Sequence, residues 1–143
     1  MAELIKKGFC GMFDYIKPLY ADLAKAVGVK GLTPDENGTL LLDLSEDVTI
    51  SIFAESSIAI MLATAAMALP TAVDYGRVLW LLRRNFHDSP IAPFRVACDQ
   101  DGAIVVWGRV PVDGLTGQQL AALAKSLADE VALIREEVEV AEE

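Results

Sequence analysis

The sequence is poor in the residues that most chemistry needs. Its 143 residues hold one histidine, His87, and two cysteines, Cys10 and Cys98. A lone histidine rules out a His-Glu-x-x-His metal site, a histidine triad and a Cys/His cluster. Its place after a helical stretch suits a surface or capping residue. The cysteines make no Cys-x-x-Cys pair. Two isolated thiols fit a reducing cytoplasm, with Cys98 packed in a strand and Cys10 half-exposed. No Gly-x-Ser-x-Gly elbow serves a serine hydrolase. Gly8-x-x-Gly11 follows no strand and lacks the Walker lysine, so it is no phosphate cradle. The acidic pairs Glu46-Asp47 and Asp99/Asp101 fall in turns, where solvated carboxylates are commoner than calcium ligands or acid–base groups. Hence no catalytic residue, cofactor or metal ion is expected, and the chain reads as non-enzymatic.

Positive charge is also scarce. Twelve Lys and Arg stand against 21 Asp and Glu, for a net charge of −9 and a pI near 4.5. Phosphate binding needs clustered cations that release counterions, so nucleic acid is disfavoured as a partner, and so are anionic membranes. The negative charge instead keeps an apolar protein soluble or steers a basic partner to it. Membrane insertion is not expected, because the longest apolar run, Ile58–Pro70, falls short of the roughly 18 to 20 residues of a span. The opening Met1–Lys7 lacks the ordered regions of a signal peptide, which again suggests the cytoplasm. What the chain does have is apolar surface: 53% hydrophobic residues and a mean hydropathy of +0.37. That surplus fills a compact core or lies at interfaces.

No linker or repeat divides the sequence, so one domain over residues 1–143 is expected. Residues 1–13 read as a mobile arm or a short helix that docks on a partner, since Gly8 and Gly11 each weaken a helix by about 1 kcal/mol. A first helix is expected over Asp14–Val29, with Ile16, Leu19, Leu23 and Val27 on one stripe, Asp14 as cap and Gly28 as exit. Pro34–Gly38 is turn chemistry. Alternating strands follow at Thr39–Leu44, Val48–Phe53 and Ile58–Ala63. A second helix over Asp74–Phe86 places Tyr75, Val78, Leu79, Leu82 and Phe86 on one side and Trp80 off it. A hairpin of Phe94–Asp99 and Ala103–Val110 comes next, and then a helix over Leu115–Val138 capped by Asp113 or Thr116. The acidic tail 139–143 opposes the helix dipole and is expected to fray. The Arg83-Arg84 doublet suits a helix end, or else supplies an interface anchor.

Several local stretches carry a resemblance. Leu19-x-x-x-Leu23-x-x-x-Val27-Gly28, Pro34–Asp43, Ala68-Leu69-Pro70, Leu81-Leu82-Arg83-Arg84-Asn85 and Val96–Val106 stand in the order and spacing of one family. Together they resemble the class I type III secretion chaperones, the Tir chaperone (CesT/SycE-like) family, over about Pro18–Val138. The resemblance implies an α+β fold in the order α-β-β-β-α-β-β-α, with helices packed on an antiparallel sheet. It implies a homodimer that uses no ATP and holds the N-terminal segment of a secreted effector extended. The arm before Asp14 is longer than the pattern requires, and the third strand is unusually rich in alanine. For such a protein the expected effector-binding residues are Leu19, Leu23, Leu40, Leu42, Ile50 and Ile52, for which core filling is the competing role. Leu41 and Phe53, on the opposite sheet face, are the exposed members. Trp80, Val105 and Trp107 lie off the stripes that fill a monomer core, and with Arg83 and Arg109 they make the expected dimer interface. The YbjN-like sensory or regulatory domains, which are similar in topology and bind a folded partner, are the alternative.

Overall fold

A computed structural model describes residues 14–29, 32–45, 47–86 and 93–139. The elements are α1 (Ile16–Val27), β1 (Leu40–Ser45), β2 (Val48–Ala54), β3 (Ala59–Ala68), α2 (Tyr75–Arg83), β4 (Phe94–Cys98), β5 (Ala103–Pro111) and α3 (Gly117–Glu139). This is the expected order. The arm 1–13, Cys10, His87 and residues 140–143 of the acidic tail lie outside the described residues.

Local chemistry sets most boundaries. Asp14 does not cap α1; the N-cap is Tyr15, whose side chain makes no capping bond to the helix. Pro18 is tolerated in the first turn, where its missing N–H has no helical partner. Gly28, at φ 80°, ends the helix in the left-handed region. Asp35 Oδ1 accepts from the Asn37 and Thr39 amides at 2.8 and 3.0 Å and closes the turn before β1, where Gly38 sits at φ 80°. Thr116 caps α3: its Oγ1 accepts from the Gln119 amide, and Gln119 Oε1 accepts from the Thr116 amide.

The strands form one antiparallel sheet in the order β1-β2-β3-β5-β4. β3 runs five residues past the expected Ala63, because β5 offers it a ladder as far as Ala68 opposite Ala103. Cross-strand pairing there outweighs the helical preference of alanine. The extra residue of a bulge is Ala66, whose carbonyl accepts from Arg135 Nε at 2.8 Å. The same guanidinium reaches the Asp47 carboxylate and carbonyl, both at 2.9 Å, and so staples the β1–β2 turn to α3.

Leu40, Leu42, Ile50, Ile52, Ile60, Leu62, Val106 and Phe94 point to one sheet face and meet Leu19, Leu23, Leu120, Leu127, Val131 and Ile134 of α1 and α3 in a single core. Gly117 lets the two helices cross closely, since a Cβ there would lie 2.4 Å from the Asp22 carbonyl carbon. Tyr20 donates its hydroxyl proton to the carbonyls of Ile52 and Gly38, at 2.9 and 3.2 Å. Tyr15 serves Ser56 and Ala59 in the same way.

The second helix departs from expectation. It buries Leu81, while Tyr75, Leu82 and Phe86 are 78%, 60% and 61% exposed. Trp80, expected off the core, packs against it.

Candidate interaction surfaces

Two layers leave one sheet face without a helix. Helix–sheet packing comes chiefly from α3, and α1 packs on α3, so among the described residues no helix lies on the other face. The registers align its side chains in rows. One row runs Leu41, Ser51, Ala63, Trp107, Arg95 across all five strands. A second runs Phe53, Met61, Arg109, and a third Ala65, Val105, Ala97. Small residues in the middle and large apolar ones at the flanks make a shallow trough. Leu41 is 56% exposed, and Phe53, Met61, Val105 and Trp107 are half-buried. Arg109 Nε donates to Glu55 Oε2 at 2.8 Å, an exposed pair of small energetic weight.

The eight expected effector-binding residues therefore separate. Leu19, Leu23, Leu40, Leu42, Ile50 and Ile52 lie in the core at 6% exposure or less. Leu41 and Phe53 lie on the bare face. Val105, Trp107 and Arg109 of the expected dimer interface share that face with them. Trp80 does not, and Arg83 is exposed at the end of α2. The trough was within reach of the sequence, since strict alternation separates Leu41 from Leu40 and Leu42. Met61 escaped notice because an alanine run hides its place on the ladder.

A second surface is carried by α2. Tyr75, Leu79 and Leu82 follow at spacings of four and three, which puts them on one stripe. The helix is firmly held. Asp74 Oδ1 accepts from the Arg77 amide at 2.8 Å. That bond, with the Arg77 guanidinium, keeps the Asp74 carboxyl below the usual carboxylate range. Beyond the helix Arg84 makes a fork onto Glu130 of α3, at 2.9 and 2.5 Å. Glu130 is 5% exposed, so this pair is largely shielded from water. The guanidinium also stands 5.1 Å from the centre of the Trp80 ring. Asn85 bonds Val96 of β4 through both ends of its amide. A small apolar cavity of about 160 Å³ separates α2 from β4 and reaches the exposed thiol of Cys98. A larger groove of about 430 Å³ lies between α1 and Leu32–Pro34 and is edged by Lys17 and Lys25.

None of these surfaces assembles a reactive centre. Among the described residues no three His, Cys, Asp or Glu side chains are grouped to hold a metal ion. Nor is any described helix long and apolar enough to cross a membrane. The perturbed hydroxyls are structural. Burial pushes Tyr20 well above the usual tyrosine range, and burial with the nearby Glu55 charge raises Tyr15.

Known proteins place this architecture. The chain is similar to the Yersinia pestis type III secretion chaperone SycH, solved with a stable fragment of YscM2. The identity is 18% and the TM-score 0.73, over 83% of this chain and 98% of that one. It is similar to a chain of the heterodimeric ExoU–SpcU complex from the type III secretion system of Pseudomonas aeruginosa, at 21% identity and a TM-score of 0.71, over 85% and 98%. A chain of the HopA1–SchA chaperone–effector complex gives 14% and 0.70, over 85% and 94%. Among curated proteins none matches significantly. These identities speak for the fold alone. The sequence profile of the Tir chaperone protein (CesT) family, however, matches residues 19–135, most of the chain. This chain belongs to the Tir chaperone protein (CesT) family.

Proposed function

We propose that this chain is a bacterial type III secretion chaperone. It acts in the cytoplasm as one domain, without catalytic chemistry or cofactor, and pairs with a second copy of itself. Its client is the N-terminal segment of a secreted effector, which it keeps extended and soluble until export. The observation that carries this reading is the helix-free sheet face with its trough of Leu41, Phe53, Met61, Val105 and Trp107. A bare, mostly apolar face suits a chain that has not folded, because such a client offers apolar side chains and unpaired backbone groups together. The solved relatives support it, since one is described as a chaperone–effector complex. The acidic surface keeps the loaded complex soluble and favours basic clients.

Leu41 and Phe53 form the effector side of the trough, next to the β1 edge. The second copy docks on the outer stripe of α2, exposed Tyr75 and Leu82 and half-buried Leu79 with Arg83, and on the β5 side of the trough at Val105, Trp107 and Arg109. Trp80 supports this surface from beneath, through Arg84.

Leu41→Glu and Phe53→Glu test the reading. A charge on a free surface costs under about 0.5 kcal/mol, whereas one buried under a client costs several kcal/mol. Both variants are expected to keep the wild-type circular dichroism spectrum and to lose the effector that co-purifies with the wild type. Retained effector rejects this surface, and a collapsed spectrum assigns these residues to the core.

A further inference from the structure

We propose that Asn85 makes the sheet one-sided at its edges: it closes β4 to strand addition, while β1 has no such guard. The sheet order puts β1 and β4 at the two ends. An edge strand turns the N–H and C=O of every second residue away from its partner, and any extended chain can pair with that row.

On β4 the middle of that row, at Val96, is already occupied. Asn85 Nδ2 donates to the Val96 carbonyl at 2.8 Å, and Asn85 Oδ1 accepts from the Val96 amide at 2.6 Å. One side chain thus makes both bonds that a residue of a sixth strand would make. The pair also fixes the amide orientation, because the flipped form would set donor against donor. Phe94, two residues earlier, belongs to the same outward row, and its carbonyl accepts from Arg95 Nη1 at 2.8 Å. Asn85 is held in place before any competitor arrives. Its backbone N–H donates to the Leu82 carbonyl at 3.0 Å, and its neighbour Arg84 is forked onto the buried Glu130. An incoming strand must break these bonds and gains only equivalent ones, so it gains little.

β1 has no such guard. Among the described residues no side chain hydrogen-bonds its backbone, and Leu41 and Leu44 stand 56% and 38% exposed along it.

Amide exchange and light scattering on the full chain test the closure. The Val96 amide is expected to exchange slowly in the wild type, and more than tenfold faster in Asn85→Ala. The variant is expected to gain a concentration-dependent association one step above the wild-type state, whatever that state is. Adding Cys98→Pro, an exposed position at the end of β4 in the same outward row, is expected to return it to the wild-type mass, since a proline on an edge removes an outward amide and blocks pairing. Should Asn85→Ala fail to fold, Asn85→Ser carries the same reading, because it is polar but too short to span both groups. Fast Val96 exchange in the wild type overturns the proposal. So does a folded variant of unchanged mass, or association that persists with Cys98→Pro.

Discussion

Gly117 is buried where α3 begins, and its missing side chain is what lets α1 lie against it. A Cβ there would stand 2.4 and 2.5 Å from the Asp22 carbonyl carbon and oxygen, which are backbone atoms that cannot swing aside. Gly117→Ala is therefore expected to cost about 1–3 kcal/mol, as overpacking does. A lowered denaturant midpoint at constant slope is the measurement. Gly117 also marks a limit of sequence reading. Gly28 and Gly38 announce themselves through helix-end and turn chemistry within a few residues. The need for Gly117 comes from a helix some 95 positions earlier in the chain. Leu41 was legible for the opposite reason, since alternation on a short strand needs no distant partner.

Two apolar stripes overlap on α2, and sequence alone cannot rank them. Tyr75, Leu79 and Leu82 make one, and Val78 and Leu81 the other. Leu81 wins the inward place because Arg84, three residues on, must reach Glu130 on α3. That fork is a strong claim on the helix. Arg84→Ala leaves the Glu130 carboxylate buried without its partner and is expected to cost about 3–5 kcal/mol. Arg84→Met with Glu130→Met is expected to recover most of that loss, and urea unfolding of the three proteins checks both statements. For α1 the restraint is the pair of tyrosine hydroxyls. Their pKa values are raised in the folded chain, so the fold favours the neutral phenol. Their contribution is present in full below the unfolded value of about 10 and is lost as pH rises above it towards the raised folded values. Thermal melts are expected to hold steady up to about pH 10 and then fall, with a smaller fall in Tyr20→Phe. At neutral pH Tyr20→Phe is expected to lose about 0.5–1.5 kcal/mol for its hydrogen bonds.

Among the described residues the molecule is one sheet with its helices on one side. Element order and fold class were legible because turn residues punctuate a periodic sequence. Which apolar residues stay outside was less so, because Leu41, Phe53, Met61, Val105 and Trp107 put large apolar side chains on the second face as well. Light scattering at micromolar concentration is expected to return twice the 15.4 kDa of one chain; a single-chain mass rejects pairing. The ladder between β3 and β5 has a further consequence, for the time course of folding. β1–β2–β3 and β4–β5 are hairpins between chain neighbours, which close quickly. Among the described strands only β3 with β5 joins ones that are not consecutive, over roughly 35 to 50 positions, and that loop carries a larger entropic cost of closure. α2 lies inside this loop and is fastened to both sides, to α3 through Arg84 and to β4 through Asn85. Loosening those fastenings is expected to slow refolding, whereas truncating Leu41 on β1 is expected to leave the refolding rate unchanged. Stopped-flow refolding separates the two. The nascent chain then has two early hairpin units that wait on a late seam, and the helix proposed to receive a second copy lies within the loop that this seam closes.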